Sequence, residues 1–188
     1  IIQIFYIMSF RIEEKIPVSF SEGSELIQRL RVKGLVNLFP KRKVTSDYFD
    51  TQKYDLYRDS EEGLLPRKKV RIRHYPNSGN KFLFEKKISS LEGRYKISSA
   101  LDEPSQELIN SNGYLDNEYG VLQPVVKISY MREYYSYEGI RLTMDSEITY
   151  QDIYCASNSF LEDESVIELK AHAGTSIDFL ISLIQERR

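Results

Sequence analysis

Charged and apolar side chains alternate along five short segments of this chain. The longest segment is Arg67-x-Lys69-x-Arg71-x-Arg73, with apolar residues at two of the intervening positions. Because a β-strand sends successive side chains to opposite faces, this spacing predicts a strand with one cationic face. The other four segments are Arg11-x-Glu13-x-Lys15, Glu85-x-Lys87, Arg141-x-Thr143-x-Asp145 and Glu168-x-Lys170. Together they predict strands that carry charge on one face and apolar residues on the other.

The same patterns predict the order of strands and helices along the chain. Strands are predicted at 9–18, 42–51, 67–75, 81–89, 123–135, 138–148 and 165–171, with an extended segment at 54–58. Turns are predicted at 59–66, 76–80 and Glu138-Gly139, and a loop or short helical segment at 151–163. Helices are predicted from an N-cap at Ser24 to Gly34, at 104–112 before Gly113, and after the Thr175-x-x-Asp178 capping box.

These elements predict an α+β fold that is mostly antiparallel β-sheet. A half-exposed open sheet would also carry its charges on one face, in water. Because five segments share the pattern and most of their charges are positive, we favour a closed barrel with a charged interior and helices packed outside. An interior rich in Arg and Lys would bind a strongly anionic ligand.

Composition sets limits on the class of protein. At 188 residues the chain fits one domain, predicted at 8–188, and the apolar segment 1–7 is predicted to be an extension before Met8. That segment is too short to span a membrane, and a short strand or a membrane-seeking tip is the alternative. The single cysteine, Cys155, fits a reducing, cytoplasmic location. A net charge of −2 with a basic interior implies an acidic exterior, which discourages nucleic-acid binding.

The spacing of the cations suits a chain of phosphate groups. Residues on the same face of a strand are about 6.6 Å apart, so neighbouring cations can bridge successive phosphates. Arg contacts phosphate in a bidentate manner, and Lys adds a point charge. An edge strand that uses Lys and Arg to prevent aggregation has the same alternating pattern. Residues 67–73 alone therefore fit either a phosphate-binding strand or a solvated edge strand. Tyr48, Asp50, Tyr130 and Arg132 are predicted to take inward-facing positions, although half-burial in a strand is the commoner role for such a tyrosine.

Glu168 is the best candidate for a metal ligand. Its strand buries the opposite face, and a carboxylate among cations has few structural reasons to point inward. Mg and Mn bind one or two carboxylates together with substrate phosphate oxygens. Glu13, Glu85 and Asp145 are the further candidates. For Glu85 and Asp145, internal salt bridges with Arg and Lys are the alternative role.

These motifs occur in the order of a known family. They are Arg11-x-Glu13-x-Lys15, Tyr48-Phe49-Asp50-Thr51, Gly63-x-x-x-Arg67-x-Lys69-x-Arg71-x-Arg73-x-Tyr75, Glu85-x-Lys87, Tyr130-x-Arg132, Arg141-x-Thr143-x-Asp145 and Glu168-x-Lys170. The ordered set resembles the VTC domain, the polyphosphate polymerase branch of the triphosphate tunnel metalloenzymes in the CYTH-like superfamily. Each motif is weak by itself, but the resemblance runs from about residue 10 to residue 171.

The resemblance implies an eight-stranded tunnel barrel that binds a nucleoside triphosphate, tripolyphosphate or polyphosphate together with Mg or Mn. It implies phosphate contacts from Arg11, Lys69, Arg71, Arg73, Tyr130 and Arg132. It implies a catalytic role in neutralising charge for Lys15, Lys87, Lys170 and Arg141. Metal binding is implied for Glu168 and Glu13.

The leading functional hypothesis is phosphoryl transfer from ATP to polyphosphate or a related acceptor, a reaction that needs positioning and charge neutralisation. Hydrolysis of tripolyphosphate or an organic triphosphate is one alternative, although Glu14 faces away and the glutamate pair of the hydrolase branch is missing. A non-catalytic polyphosphate- or nucleotide-binding module is the other. Because like charges repel, removing Arg71 and Arg73 is predicted to abolish binding and to raise thermal stability.

Overall fold

A computed structural model gives the fold and describes residues 11–76, 79, 81–155, 157–176 and 182. The strands among them are β1 (Arg11–Ser19), β2 (Val36–Asp50), β3 (Arg67–His74), β4 (Phe82–Ser90), β5 (Gly93–Leu101), β6 (Tyr114–Asp116), β7 (Gly120–Tyr137), β8 (Ile140–Asp152), β9 (Ser159–Leu161) and β10 (Glu164–His172). The helices are α1 (Phe20–Val32), α2 (Asp55–Glu61) and α3 (Glu103–Asn112). The fold is therefore mainly β-sheet, and the pairings with known register are antiparallel.

The chain divides into two compact units, and each is described by itself. Of the described residues, the first, the β10 unit, comprises 11–43, Tyr130–Ile148, 161–176 and 182. The second, the β4 unit, comprises the described residues of Val44–Ser129 and Thr149–Phe160. Strands β2, β7 and β8 contribute residues to both units.

In the β10 unit, β10 pairs with β1 on one side and with β8 on the other. The strand order continues from β8 to β7 and β2. The registers place Lys15 opposite Glu168, and they place Lys170 between Glu13 and Arg141. Three of the alternating segments therefore meet on adjacent strands of one sheet.

The apolar positions of these strands build the core of the β10 unit. The buried strand residues are Ile140, Leu142, Met144, Ile167 and Leu169. They pack with Leu26, Ile27 and Leu30 of α1, and Ile12 of β1 lies against the same cluster. The prediction that the residues between the charges face a hydrophobic core is confirmed for this unit.

The N-cap of helix α1 lies five residues before the predicted N-cap at Ser24. Ser19 is the N-cap, its Oγ accepting from the N–H of Glu22 at 3.2 Å while a Glu22 carboxylate oxygen accepts from the N–H of Ser19 at 2.9 Å. This reciprocal pair is a capping box. Gly23 lies in the first turns of α1, and a Cβ there would meet the end of the flexible Met144 side chain at 2.7 Å. The glycine therefore permits close packing of the helix against that side chain of β8.

In the β4 unit, β2, β3, β4 and β5 pair in succession, and β6 pairs with β7. Val70, Ile72 and Phe84 are buried in a cluster with Phe49, Leu56 and Leu122. The predicted apolar face of β3 and β4 is therefore confirmed. Helix α3 is also confirmed, with Asp102 as its N-cap and Gly113 at its C-terminal end with φ 84°.

Three predictions in the β4 unit are wrong or incomplete. Residues 54–58 are not extended but lie at the start of α2, which forms because the Asp50 carboxylate accepts hydrogen bonds from backbone N–H groups of that helix. Strand β5 was not predicted, since its residues are mostly exposed and its apolar periodicity is correspondingly weak. Residues 151–163 are not helical where described: β8 continues to Asp152, and β9 follows at Ser159–Leu161.

The second hairpin forms as predicted, with φ of 45° at Glu138 and 78° at Gly139, the two positive values that a tight type I′ turn requires. Of the predicted turn at 76–80, three positions lie outside the described residues, as do segment 1–7 and most of the helix expected after Thr175.

The described pairings do not close the predicted barrel. In the strand order, β1 has β10 as its single neighbour, and β5 has β4 as its single neighbour. None of the helices in the described ranges combines the length and the apolar composition needed to cross a bilayer.

Candidate functional site

Two glutamates and two lysines alternate on β1 and β10 in the β10 unit. Lys170 Nζ lies 3.3 Å from Glu168 Oε2 and 3.8 Å from Glu13 Oε2. Lys15 Nζ lies 3.8 Å from Glu168 Oε1. Glu168 is buried, whereas the Lys15 side chain is 63% exposed. The antiparallel register therefore gathers the four residues that the sequence assigned to metal binding and charge neutralisation.

The two carboxyl groups of this cluster shift each other's pKa. A hydrogen bond with Glu168, followed by burial and the charge of Glu168, raises the pKa of Glu13. Burial also acts to raise the pKa of Glu168, but the hydrogen bond from Glu13 and the charges of Lys170, Lys15 and Arg132 outweigh it and lower that pKa to about 2. Glu168 therefore stays ionised, and Glu13 is the carboxyl that holds a proton more readily. We call Glu13 and Glu168 the carboxyl pair.

The carboxyl pair fits a Mg or Mn ion that takes its remaining ligands from water or substrate. Both metals prefer oxygen ligands and bind one or two carboxylates alongside phosphate oxygens. Thr143, opposite Glu168 on β8, has a buried Oγ1 without a hydrogen-bond partner, which supplies a further oxygen beside the pair. Within the described ranges no group of three His, Cys, Asp or Glu side chains is arranged for a metal.

Arg132 lies beside the carboxyl pair but already has an acidic partner. Its Nε and Nη2 donate to the two carboxylate oxygens of Asp145 at 2.6 and 2.5 Å. Its Nη2 is also 4.0 Å from Glu168 Oε2, and its guanidinium lies 5.0 Å from the Tyr130 ring centre. Burial opposes the charge on Arg132, yet Asp145 raises its pKa above the ordinary value. The internal salt bridge considered for Asp145 is confirmed.

Arg141 has a different environment from that of Arg132. It is exposed on β8, and its guanidinium lies 5.9 Å from the ring centre of Tyr134. Arg11 belongs to β1, but its side chain lies outside the described residues. The structure therefore brings Lys15, Lys170 and Arg132 to the carboxyl pair and leaves Arg141 at the exposed edge of the cluster.

A second charged cluster, the basic clamp, lies on β3, β4 and β5 of the β4 unit. Arg71 donates from Nε to Glu85 Oε2 at 2.7 Å and from Nη1 to the Tyr48 hydroxyl at 2.8 Å. Arg73 Nε is 3.9 Å from the same Glu85 oxygen and 3.4 Å from Ser46 Oγ. The internal salt bridge considered for Glu85 is therefore confirmed, and Glu85 orients two of the predicted phosphate ligands.

Lys96 is a member of the basic clamp that the sequence prediction missed. It forms an ion pair with the second carboxylate oxygen of Glu85, and β5 places it opposite Lys87. Lys87 is in turn opposite Lys69 on β3, and both are exposed. The alternation Arg94-x-Lys96 was the available signal, because it repeats the charge spacing of β3 just after a glycine turn.

The electrostatics of the clamp show an excess of positive charge around one acid. Burial acts to raise the pKa of Glu85, but Arg71, Lys96 and Arg73 outweigh it and lower that pKa to about 2. Burial acts against the charge of Arg71, whereas Tyr48 and Glu85 raise the pKa of its guanidinium. The clamp therefore remains cationic and well ordered across the physiological pH range.

Of the two predicted inward-facing residues of the Tyr48-Phe49-Asp50-Thr51 motif, one joins the clamp and one does not. Tyr48 contacts Arg71, as described above. Asp50 is buried and accepts hydrogen bonds from the N–H groups of Leu56 and Tyr57, both at 2.9 Å. The position predicted for Asp50 is therefore corrected: its carboxylate holds the start of α2, because a buried acid at a helix start satisfies N–H groups that lack intrahelical partners.

Similar folds occur among solved structures. A Bacillus halodurans protein provisionally assigned as an adenylate cyclase is 20% identical, with a TM-score of 0.62 over 95% of this chain and 87% of that chain. A Vibrio parahaemolyticus protein with the same provisional assignment is 13% identical, with a TM-score of 0.57 over 95% of this chain and 88% of that one. A Hippeastrum protein, described as having a dominant triphosphatase activity, is 15% identical, with a TM-score of 0.56 over 94% and 86%.

Comparison by sequence gives the family. No curated protein matches this chain significantly. The model of the VTC domain matches residues 10–187, nearly the whole length, and includes both the carboxyl pair and the basic clamp. The chain therefore belongs to the VTC domain family.

Proposed function

We propose that this protein catalyses metal-dependent phosphoryl transfer from ATP to polyphosphate or a related phosphate acceptor. The observation that carries the proposal is the carboxyl pair, held between Lys15 and Lys170, in a member of the VTC domain family. Two carboxyl groups beside the ammonium groups of two lysines suit a metal-bound polyphosphate better than a neutral substrate. The Hippeastrum structure, described as a triphosphatase, gives the fold a precedent for triphosphate chemistry.

The basic clamp would bind the phosphate chain. Arg71 retains donor groups beyond those used by Glu85 and Tyr48, since a guanidinium has five N–H donors. Glu85 fixes the orientation of Arg71, so little side-chain entropy is lost when phosphate binds. Lys69 and Lys87, exposed on neighbouring strands, add positive charge without a fixed geometry. The result is a preorganised anion site of the kind that phosphoryl transfer requires.

Glu168 and Glu13 would hold Mg or Mn, which supplies charge neutralisation on phosphate oxygens. Lys15 and Lys170 keep the Glu168 carboxylate ionised, so that it would accept a cation. With a metal in their place beside Glu168, the two ammonium groups would contact phosphate oxygens instead. Arg132 is oriented by Asp145 and would donate its remaining N–H groups to phosphate, with Tyr130 beside it. Arg141 and Arg11 would extend the basic surface along β8 and β1.

Closure of the sheet into an eight-stranded tunnel is also part of the proposal. Its support is the family match and the confirmed alternation of charged and apolar faces in each unit. In a closed tunnel the phosphates would be shielded from water, which strengthens their interaction with fixed charges.

Incubation with ATP labelled on the γ-phosphate, with Mn or Mg and a short polyphosphate primer, tests the reaction. We expect label in acid-insoluble polymer and a loss of that signal without metal. Free phosphate as the sole product would establish hydrolysis instead. Tight binding of tripolyphosphate without turnover in either metal would establish a binding module and contradict the proposed activity.

A further inference from the structure

A cavity of about 770 Å³ lies beside the basic clamp in the β4 unit. Its volume is within the range of small-molecule sites, roughly 300–1,000 Å³, and exceeds what a phosphate group fills. Aromatic and β-branched side chains form much of its wall. These residues include Tyr48, Tyr54, Tyr57, Tyr150, Val126 and Ile128.

The cavity and the clamp share residues. Tyr48 lines the cavity with its ring, and its hydroxyl accepts the 2.8 Å hydrogen bond from Arg71. Lys69 also lines the cavity and lies two residues before Arg71 on β3. A ligand in the cavity can therefore extend an anionic group to the clamp without leaving the β4 unit.

Two tyrosines at the start of helix α2, Tyr54 and Tyr57, line this cavity, and the backbone of the first has a rare conformation. Tyr54 has φ 56° and ψ 42°, a left-handed conformation that is rare for a bulky side chain. The Asp50 carboxylate fixes the N–H of Tyr57, the second ring, at 2.9 Å. Both rings remain more than half exposed. Exposed aromatic rings on a fixed helix start are a costly arrangement for a protein surface, and strained backbone tends to occur at functional sites.

We propose that this cavity binds the base of a nucleoside triphosphate whose phosphates lie along the basic clamp. The proposal rests on the proposed function and names which end of the substrate is recognised. Tyrosine rings offer stacking faces for a base, and their hydroxyl groups offer hydrogen-bond partners. The site has aromatic side chains at one end and cations at the other. It therefore matches a ligand that carries a planar base at one end and phosphate groups at the other.

The charged residues in the wall favour a base over an aliphatic ligand. Lys53 and Glu61 line the cavity together with the tyrosines, and both are exposed. The ring nitrogens and exocyclic groups of a base can form hydrogen bonds with such side chains, whereas a hydrocarbon chain cannot. Inorganic tripolyphosphate would occupy the clamp and leave the cavity wall without contacts.

Calorimetric titration with a non-hydrolysable ATP analogue and with tripolyphosphate, on the full chain with Mn, tests the inference. Tyr57→Ala removes one ring, and Val126→Trp fills part of the cavity. We expect each variant to bind the analogue about 5-fold to 100-fold more weakly, the loss typical of a base-stacking contact. Tripolyphosphate affinity should stay within about twofold, which also shows that each variant is folded. Tyr154→Ala is the matched control, since Tyr154 is 74% exposed and is not part of the wall.

The outcomes separate this inference from the proposed function. If the wild type binds tripolyphosphate and the variants bind the analogue as tightly as the wild type does, the base site is wrong while the phosphate site stands. Equal losses for both ligands would also overturn the base site, because the residues would then act through the clamp. If the wild type binds neither ligand, both proposals fail.

Discussion

The two charged clusters of this protein differ in the balance of their charges. In the β4 unit, one buried acid, Glu85, is surrounded by Arg71, Arg73 and Lys96. In the β10 unit, two acids, Glu13 and Glu168, lie within 4 Å of the same ammonium group, that of Lys170. The first arrangement has spare positive charge and no acid to take a metal. The second has two carboxyl groups, the oxygen ligands that a divalent cation prefers.

The difference teaches that alternation of charge on a strand does not by itself fix what the strand binds. Arg67-x-Lys69-x-Arg71-x-Arg73 and Glu168-x-Lys170 follow the same spacing, yet their neighbours give them different chemistry. A phosphate chain with a bound metal needs both kinds of surface. A substitution confined to one cluster should therefore change either phosphate binding by the clamp or metal binding by the carboxyl pair. Equal effects on both would remove the distinction between the two clusters.

The largest effect is expected from Glu168→Gln. An amide keeps the shape of the side chain but removes the ionised ligand, so metal-supported turnover of tripolyphosphate or ATP should fall at least about 100-fold. Initial rates across a Mn titration measure it. Glu14→Gln is the matched control, because Glu14 is exposed on the same β1 strand. Turnover in Glu168→Gln close to that of the control would exclude Glu168 as the metal ligand and remove the contrast between the clusters.

The next effect is expected from Arg71→Ala in the clamp. Loss of charge-assisted hydrogen bonds to phosphate should weaken tripolyphosphate binding about 10-fold to 100-fold. Calorimetric titration measures the affinity, with Lys81→Ala, an exposed cation just before β4, as the control. Unchanged affinity in Arg71→Ala would mean that the clamp does not bind phosphate.

Arg71→Ala should also lower the free energy of unfolding, by roughly 2–3 kcal/mol, because Glu85 loses a buried partner while Lys96 remains. The sequence alone predicts the opposite, a gain in stability from relieved repulsion. That prediction assumes that the cations face one another without acids between them, and the structure contradicts the assumption. Denaturant titration decides between the two signs.

Much of the fold was predictable because burial imposes a period of two on each strand. Val70, Ile72 and Leu142 face a core, and the charges between them do not. The start of α2 could not be predicted in this way, because Asp50 stabilises it from outside the local pattern. Strand β5 is similarly defined by its pairing with β4 and not by its own apolar residues.

The sequence predicted which residues form the site, but not which of their side chains contact one another. Glu13, Glu168 and the lysines beside them follow from strand alternation, since the β1–β10 register brings them together. The bidentate contact between Arg132 and Asp145 depends on which strands are neighbours, which spacing alone does not specify. Lys96 was missed for a different reason: Arg94-x-Lys96 repeats the charge spacing of β3, but the residues of β5 are mostly exposed and give no clear apolar period.

A pH-dependent effect on stability is expected when Glu85 is titrated. The folded-state pKa of Glu85, about 2, lies below the usual value of 4.5. The resulting stabilisation is fully present above pH 4.5 and is lost as the pH falls toward 2, for a total of about 3 kcal/mol. The difference in unfolding free energy between wild type and Glu85→Gln should therefore shrink over that interval. Glu107→Gln, on α3, provides the baseline, and a constant difference for Glu85→Gln would show that its carboxylate is not stabilised by the clamp.

The smallest effect concerns the proton on the carboxyl pair. Because the hydrogen bond to Glu168 raises the pKa of Glu13, Mn must displace a proton from Glu13 at a higher pH than an ordinary glutamate requires. Mn affinity measured without phosphate should therefore fall as the pH is lowered through that raised value. In Glu13→Gln the affinity should be about tenfold weaker and the pH dependence flatter, while Glu14→Gln should follow the wild type. If Glu13→Gln keeps the wild-type pH dependence, then Glu13 does not exchange its proton for the metal, and Glu168 alone distinguishes the β10 unit from the clamp.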